Sequence, residues 1–336
     1  MRIIGLEEHF VTPAFLEGPG KNFHQLALKS GGAAAVKTFD QLLDVGAGRL
    51  REMDAAGIDM QLLSLNFPGT EQCDPAEAAT IAKDANDIAA DAVRKHPDRF
   101  SALAALPTGA PEKAAAELER CIRQNGFKGA VINGHVRGRY LDDRFFSPIL
   151  ERAEALNTPI YLHPTLPPKA VMEASFGGFS PQVTFMLAGP GWGWHIETAV
   201  HVIRMILGGV FDRFPKLQIV IGHMGEGLSY ILPRLDKTAR PLVQPGAKPE
   251  TGGPTKLQRS PAEYLRQNLH YTFAAFNFPA TFQNLLAEVG ADRIMFSADY
   301  PYGSMSEAVA FLNQIPVSAS ERDQIAHGNA ERLFRF

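Results

Sequence analysis

Four apolar stretches of this sequence end in side chains that bind metals or transfer protons. The residues are Glu7 and His9 in the first stretch, followed by His163, His223 and Asp299. A lone histidine at a strand end usually hydrogen-bonds to backbone groups, and an aspartate there can be a simple cap. Four such ends in one chain are harder to explain separately, because each would need its own unrelated cause. Imidazole and carboxylate together suit zinc and manganese alike. The pattern therefore predicts a metal site.

The first stretch, RIIGLEEHF at residues 2–10, begins with the apolar residues of a buried parallel strand. Residues two apart in a strand face the same side of the sheet. Glu7 and His9 therefore form a candidate ligand pair, while Glu8 points to the other side. The alternative for this stretch alone is a polar strand end that binds only water.

Composition and charge narrow the class of protein. The 336 residues are 45% hydrophobic and 21% charged, which is ordinary for a globular chain with a sizeable core. A net charge of −3 without a basic cluster argues against nucleic acid or a membrane surface as a partner. No apolar run approaches the roughly 20 residues that span a bilayer, and no signal peptide is recognisable, so we expect a cytoplasmic protein. Cys73 and Cys121 are too few for a disulfide framework.

Eight strand-like stretches alternate with helical patterns along the chain. They are centred near residues 3, 60, 103, 131, 161, 220, 272 and 295. The alternation predicts a parallel sheet, and eight units favour a closed (β/α)8 barrel of the TIM type, forming one domain over residues 1–336. An open doubly wound sheet is the alternative, but no GxGxxG motif follows any strand. The C-terminal strand ends of a barrel converge, which would bring the candidate residues together.

The connections between these strands are predicted to be helices, several with proline at the first position. The predicted helices cover residues 49–57, 74–96, 110–124, 146–156, 196–208, 261–268, 282–289 and 318–336. Residues 11–44 are predicted to form a long loop. Two insertions, about 165–195 and about 237–261, are predicted on the active-site side, where such loops serve as lids or oligomer arms.

Five motifs together resemble the amidohydrolase superfamily, and within it the metal-dependent decarboxylase branch. They are LEEHF at 6–10, YLHP at 161–164, GHMGEG at 222–227, FSADYP at 296–301 and GNAERLF at 328–334. The branch includes the γ-resorcylate, 2,3-dihydroxybenzoate and 5-carboxyvanillate decarboxylases, with aminocarboxymuconate-semialdehyde decarboxylase as a more distant relative. The resemblance extends through nearly the whole chain.

The resemblance implies that Glu7, His9, His163 and Asp299 hold one divalent metal ion, with His223 nearby as an acid–base or orienting residue. Zinc and manganese fit this ligand set equally well. The chain departs from the pattern at Ala298-Asp299-Tyr300-Pro301, in the stretch HYTFAAFN after Leu269, and in the Phe- and Gly-rich insertion that follows His163. These departures fall where a substrate would be held, and they leave its identity open.

The charge of the ligand set favours decarboxylation over hydrolysis. Neutral ligands keep a metal electrophilic enough to generate hydroxide from water. Glu7 and Asp299, both ionised, would formally neutralise a divalent ion, which suits the chelation of an ortho-hydroxybenzoate better than the activation of water. The hypothesis is that protonated Asp299 delivers a proton to the ring carbon bearing the carboxylate and that CO2 leaves, with His223 tuning the protonation of Asp299.

Further residues are predicted to hold the substrate. Arg234 is the first candidate for the cation that balances the substrate carboxylate, and Arg49 is a weaker one; either could instead form a surface ion pair. Aromatic side chains are candidates for the walls around the ring, although aromatic residues usually belong to cores: Phe23, Phe67, Phe176, Trp194 and Phe276. His195 is predicted either to line the pocket or to serve in packing.

Two other functions remain open at this stage. A metal-dependent hydrolase of a lactone or amide could use the same ligands, with Asp299 as the base for a bound water. A small-molecule binder without activity is disfavoured by the complete ligand set. The long Pro- and Gly-rich insertion and the family resemblance predict a homodimer or homotetramer.

Overall fold

The structure is a computed structural model that describes residues 1–246 and 256–336. Eight strands lie in the described residues: β1 (Ile4–Phe10), β2 (Met60–Leu65), β3 (Phe100–Ala105), β4 (Gly129–Asn133), β5 (Ile160–His163), β6 (Ile219–Ile221), β7 (Leu269–Thr272) and β8 (Ile294–Met295). They pair in parallel in sequence order. The N–H of Leu6 donates to the carbonyl of Phe296 at 3.2 Å, and that of His9 to the carbonyl of Tyr300 at 2.8 Å, which brings β1 against the segment that continues β8. The predicted (β/α)8 barrel is confirmed.

Helices connect the strands and surround the sheet. They are α1 (Pro13–Glu17), α2 (Lys21–Leu43), α3 (Ala47–Ala56), α4 (Pro75–Lys95), α5 (Pro111–Gln124), α6 (Ser147–Leu156), α7 (Lys169–Phe176), α8 (Pro181–Ala188), α9 (Gly193–Leu207), α10 (Val210–Arg213), α11 (Leu228–Ala239), α12 (Pro261–Gln267), α13 (Pro279–Val289), α14 (Met305–Gln314), α15 (Ala319–Asp323) and α16 (Asn329–Phe334). A π-helical turn over Gln324–Gly328 joins the last two. No helix in the described parts of the chain is long and apolar enough to cross a membrane.

Two layers of apolar side chains hold the barrel together. The inner layer fills the barrel and contains Ile4, Leu6, Leu62, Leu103, Val131, Tyr161, Val220 and Met295, closed at one end by Phe334 of α16. The outer layer packs the sheet against the helices. Because both faces of a parallel sheet are buried, its strands read as nearly continuous apolar runs, which explains why the sequence located all eight.

The prediction of a long loop at residues 11–44 was wrong, because α1 and α2 occupy most of this stretch. Gly31 and Gly32 interrupt the helical pattern in the sequence, and the structure shows a kink at Gly32, where φ is 53°. The helix continues beyond the kink because Phe39 and Leu42 are buried against the barrel. Burial of this apolar face outweighs the low helix propensity of the glycines.

Other differences concern the connections after β5, β6 and β8. Residues 165–195 contain α7 and α8 in addition to irregular chain. The predicted insertion at 237–261 lies partly outside the described residues. Helix α14 was not predicted, and the single predicted helix at 318–336 is divided into α15, the π-helical turn and α16.

Candidate active site

A cavity of about 440 Å³ opens at the C-terminal ends of the strands. Of the residues predicted for the site, the following line it: His9, Phe23, Phe67, His163, Trp194, His195, His223, Phe276 and Asp299. Glu7 lies directly behind them, buried to 1% exposure. Strand ends that are 60 to 290 residues apart in sequence (from His163 to His223 and from His9 to Asp299) therefore converge as the barrel topology requires.

Glu7, His9 and His163 face one another closely enough to share a cation. Their ligand atoms all lie within 4.8 Å of each other. Nε2 of His163 is 3.3 Å from Oε1 of Glu7, and Nε2 of His9 is 3.2 Å from Oδ1 of Asp299. Oε1 of Glu7 is buried and has no hydrogen-bond partner, although a buried carboxylate oxygen is costly to leave unpaired. A divalent ion would satisfy it.

The outer nitrogens of both histidines are fixed by protein groups. Nδ1 of His9 lies 3.1 Å from the hydroxyl of Ser64, and Nδ1 of His163 lies 2.8 Å from the carbonyl oxygen of Pro164. These contacts leave the two Nε2 atoms turned toward Glu7 and Asp299. Such orienting contacts behind imidazole ligands are typical of metal sites. The arrangement of Glu7, His9 and His163, with Asp299 in contact with His9, is therefore compatible with one divalent ion.

The backbone of β1 is adapted to deliver Glu7. A bulge shifts the pairing with β2 between Gly5 and Glu8, and φ of Glu7 is 62°, in the left-handed region. The other oxygen of Glu7 accepts a hydrogen bond from the hydroxyl of Tyr161. Gly222 leaves room for this carboxylate, because a Cβ at that position would lie 2.6 Å from Oε2 of Glu7.

Glu8 points away from the cavity, as the alternation in the strand predicted. Its oxygens accept from the N–H groups of Ala298 at 3.0 Å and Tyr300 at 3.2 Å. Glu8 thus ties β1 to the chain on both sides of Asp299. It is a buried carboxylate that positions the site and does not line it.

Glu226 links His223 to His195, and this bridge of three side chains was not revealed by the sequence. Glu226 is fully buried and accepts from both neighbouring imidazoles, with Oε1 2.8 Å from Nδ1 of His223 and Oε2 2.6 Å from Nδ1 of His195. Nε2 of His195 also lies 3.0 Å from the carbonyl oxygen of Pro190. The three side chains also lie close enough to hold an ion, but their hydrogen bonds to one another already pair them.

Burial and neighbouring charges set the protonation of the site in the absence of a metal. Burial raises the pKa of Glu7 to about 8 and that of Asp299 to about 7, although His223 opposes both shifts. Burial lowers the pKa of His9 to about 3 and that of His163 well below its ordinary value. Burial also disfavours the charged form of His223, but the carboxylates of Glu226 and Glu7 outweigh it and raise the pKa to about 10. The site therefore combines a carboxyl group that exchanges its proton near neutral pH with a fixed imidazolium.

The walls of the cavity are aromatic, as expected. Phe67 contacts both Phe23 and Trp194, with ring centroids 5.6 and 5.1 Å apart, and Phe276 packs against His195 at 5.0 Å. The sequence missed several lining residues: Asn66, Phe185, Pro190, Ala274, Ala275, Phe278 and Tyr302. Their common signal is position within a few residues of a strand end or on the 165–195 insertion. Phe176, another candidate, is buried and does not line the cavity.

Neither arginine predicted to bind the substrate lines the cavity of the single chain. Arg49 is fully buried behind the site, where its guanidinium donates to the carbonyl of His9 and lies 4.7 Å from the ring centre of Tyr300. It therefore supports β1 from behind. Arg234 is exposed on α11, and no carboxylate in the described parts of the chain pairs with it.

A (β/α)8 barrel with glutamate, histidine and aspartate at its C-terminal strand ends defines a class of metal-dependent enzymes. The family model described as "Amidohydrolase" matches residues 39–336, and the chain belongs to this family. The family assignment made from the motifs is thereby confirmed.

Several similar proteins are decarboxylases. A γ-resorcylate decarboxylase of Polaromonas sp. is 35% identical and spans 99% of this chain and 98% of its own length. The crystal structure of a dihydroxybenzoic acid decarboxylase from Polaromonas sp. JS666, with bound manganese and the inhibitor 2-nitroresorcinol, is 35% identical, covers 99% of this chain and 97% of that one, and has a TM-score of 0.87. The structure of a 5-carboxyvanillate decarboxylase from Novosphingobium aromaticivorans, with manganese and 4-hydroxy-3-methoxy-5-nitrobenzoic acid, is 32% identical, covers 100% and 96%, and has a TM-score of 0.88.

Proposed function

We propose that this protein is a metal-dependent, non-oxidative decarboxylase of a hydroxylated benzoate. The observation that carries the proposal is the meeting of Glu7, His9, His163 and Asp299 on one side of an aromatic cavity. The similar enzymes that act on dihydroxybenzoates and carboxyvanillate support the substrate class.

The four candidate ligands would hold one divalent ion, manganese or zinc. The bound manganese in two similar structures favours manganese. When bound, the ion would supply Lewis acidity and positive charge for the carboxylate and phenol oxygens of the substrate. The aromatic rings of Phe67, Trp194 and Phe276 would hold the benzene ring and exclude water from it.

Asp299 is the proposed proton donor. Its carboxyl group lies on the cavity surface with 13% of the side chain exposed, and burial raises its pKa to about 7 in the metal-free site. A raised pKa favours the protonated form that a proton donor needs. The proton moves from Asp299 to the ring carbon that bears the carboxylate. The bond between that carbon and the carboxylate then breaks, its electron pair restores the aromatic ring, CO2 leaves, and Asp299 remains ionised until solvent reprotonates it.

His223 and the bridge behind it position this proton. Glu226 holds Nδ1 of His223, so the imidazolium faces the cavity with its other nitrogen. A positive charge beside Asp299 would stabilise the carboxylate left after proton transfer. Glu226 thus acts through His223, while His195 also lines the cavity.

The cation for the substrate carboxylate is proposed to come from an assembly of subunits. Arg234 is exposed, and Tyr230 and Ile231 beside it on α11 are 84% and 49% exposed. Tyr230 and Arg234 are four residues apart and therefore share one helix face. A large aromatic next to an arginine is typical of a subunit contact. A homodimer or homotetramer could bring Arg234 to a cavity that it does not reach within one chain. The cytoplasmic location and the single domain over residues 1–336 remain predictions.

A substrate panel distinguishes decarboxylation from hydrolysis. Protein reconstituted separately with Mn²⁺ and Zn²⁺ would be incubated with hydroxybenzoates that do or do not carry a hydroxyl ortho to the carboxylate, and released CO2 would be measured. We expect CO2 only from ortho-hydroxybenzoates. Acid production from lactones without CO2 from any benzoate would establish the hydrolase instead.

A further inference from the structure

The N-terminal mouth of the barrel, opposite the active site, contains a second concave pocket of about 500 Å³. Four cationic side chains line it: Lys216, Arg293, Arg332 and Arg335. Asp292 is the one carboxylate among its lining residues. The pocket is therefore strongly positive in a chain whose net charge is −3. Gathering like charges in one concavity is unfavourable unless an anion is bound there.

Contacts within the protein explain the positions of two of the four cationic side chains, Arg293 and Arg332. Arg293 donates to the carbonyl of Gln267 at 3.1 Å, at the C-terminal end of α12, and lies 3.5 Å from Asp292. Arg332 donates to the backbone carbonyl of Asp292 at 2.8 Å. Cations are favourable beside the carbonyl groups that end a helix, so these two arginines have a structural role that needs no ligand.

Lys216 and Arg335 have no such explanation. Both side chains are exposed at the rim, and neither forms an ion pair within the described residues. Their backbone positions are fixed, because the N–H of Lys216 donates to Glu154 at 2.8 Å and the carbonyl of Arg335 accepts from Lys128 at 2.9 Å. Both side chains therefore start from fixed points at the pocket rim and have no ion-pair partner among the described residues.

The lining also includes a buried histidine with one unpaired ring nitrogen. His270 is 4% exposed, and its Nδ1 atom makes no hydrogen bond. Nε2 lies 3.2 Å from Oε1 of Gln218 and 3.3 Å from a guanidinium nitrogen of Arg293. The nitrogen beside Arg293 is the hydrogen-bonded Nε2, so His270 packs beneath the cationic group and only its buried Nδ1 atom is unpaired.

We propose that this pocket binds a small multivalent oxyanion, with Lys216 and Arg335 as the rim contacts and Arg293 and Arg332 beneath them. Arginine and lysine are the side chains that recognise phosphate and carboxylate oxygens. The volume exceeds that of inorganic phosphate, so the pocket suits the phosphoryl or carboxylate group of a larger small molecule. The site is independent of the reaction at the other mouth, and its occupancy stabilises the folded chain by mass action.

The experiment uses inorganic phosphate as the probe and the metal-loaded, full-length protein. Thermal unfolding would be recorded in about 10 mM phosphate and in chloride of equal ionic strength, and binding would be followed by titration calorimetry. We expect phosphate to raise the Tm of the wild type by about 3 °C and to bind with one site per chain.

Two charge-matched variants locate the binding site. Lys216→Gln/Arg335→Gln removes the unpaired rim charges, and we expect phosphate affinity to fall at least tenfold and most of the Tm shift to disappear. Lys37→Gln/Lys169→Gln removes two exposed positive charges elsewhere and should respond as the wild type does. Absence of a phosphate response in the wild type would overturn the proposal. An undiminished response of the rim variant would also overturn it and would place the anion elsewhere, for example at the active-site metal.

Discussion

The two mouths of this barrel are lined by different kinds of ionisable side chain. The C-terminal mouth gathers carboxylate and imidazole groups, and among the described residues no lysine or arginine lines its cavity. The N-terminal mouth gathers lysine and arginine. Strands in a parallel barrel all point the same way, so residues at their ends accumulate at one mouth and residues before their starts at the other. Charge separation along the barrel axis follows from where each residue type occurs in the eight repeats.

Two buried histidines, His223 and His270, show how this charge separation changes a pKa. Burial alone would lower the pKa of both. At the C-terminal mouth, Glu226 and Glu7 outweigh burial and raise the pKa of His223 to about 10. At the N-terminal mouth, Arg293 and Arg332 add to burial and lower the pKa of His270 to about 3. The neighbours of a buried imidazole, more than its burial, decide which protonation state it has.

Removal of a metal ligand is expected to have the largest effect. His163→Ala should reduce bound metal to less than about a tenth of an ion per chain and lower decarboxylation at least about 10⁴-fold, because the remaining ligands no longer surround the ion. Metal analysis and CO2 release measure the two effects. His270→Gln, a histidine substitution at the other mouth, serves as the control and should leave the metal content unchanged. Equal metal loss in both variants would show that the two mouths are not separate sites.

The bridge behind His223 is tested by Glu226→Gln. We expect kcat to fall about 100-fold and the alkaline limb of the pH–rate profile to move to lower pH, because the carboxylate that raises the pKa of both Asp299 and His223 is gone. The control is Glu197→Gln, another buried glutamate, which accepts a hydrogen bond from Tyr140. A loss of rate in Glu226→Gln without a change in the pH profile would indicate a purely structural role.

His270 should make the fold sensitive to acid. Its pKa is lowered to about 3 in the folded protein, against about 6.5 in the unfolded chain, so the unfolded state binds the extra proton as the pH falls below 6.5. Between pH 7.5 and pH 5, wild type should lose about 2 kcal/mol of stability more than His270→Gln. Urea unfolding at both pH values measures the difference. An identical pH dependence in the two proteins would contradict the assigned environment of His270.

The smallest effect is expected from Arg234→Gln. If the assembly supplies this cation to the carboxylate of the substrate, KM should rise about tenfold while kcat changes less than about twofold. Light scattering should show a dimer or tetramer for wild type and variant. A monomeric wild type at micromolar concentration, or an unchanged KM, would remove Arg234 from the site.

The sequence predicted most of the barrel because buried parallel strands are continuous apolar runs that end in polar residues. Nine of the site residues predicted from the sequence line the cavity, because strand ends converge in this fold. The sequence missed Glu226, which follows the strand end in the GHMGEG motif, has a φ of 57° and hydrogen-bonds to His223. Helix α2 was missed because two glycines mask a buried apolar face. Arg234 shows the remaining limit, since sequence spacing does not reveal which way a helix faces.

The measurement that tests the account most directly compares wild type with Asp299→Asn, both with confirmed metal content and saturated with the same ortho-hydroxybenzoate. Binding of the acid and release of CO2 in a single turnover would be recorded separately. The account predicts that the variant binds the acid within about fivefold of wild type but releases CO2 at least about 10³-fold more slowly, because the proton for the ring carbon comes from Asp299. A variant that releases CO2 within tenfold of the wild-type rate would contradict it.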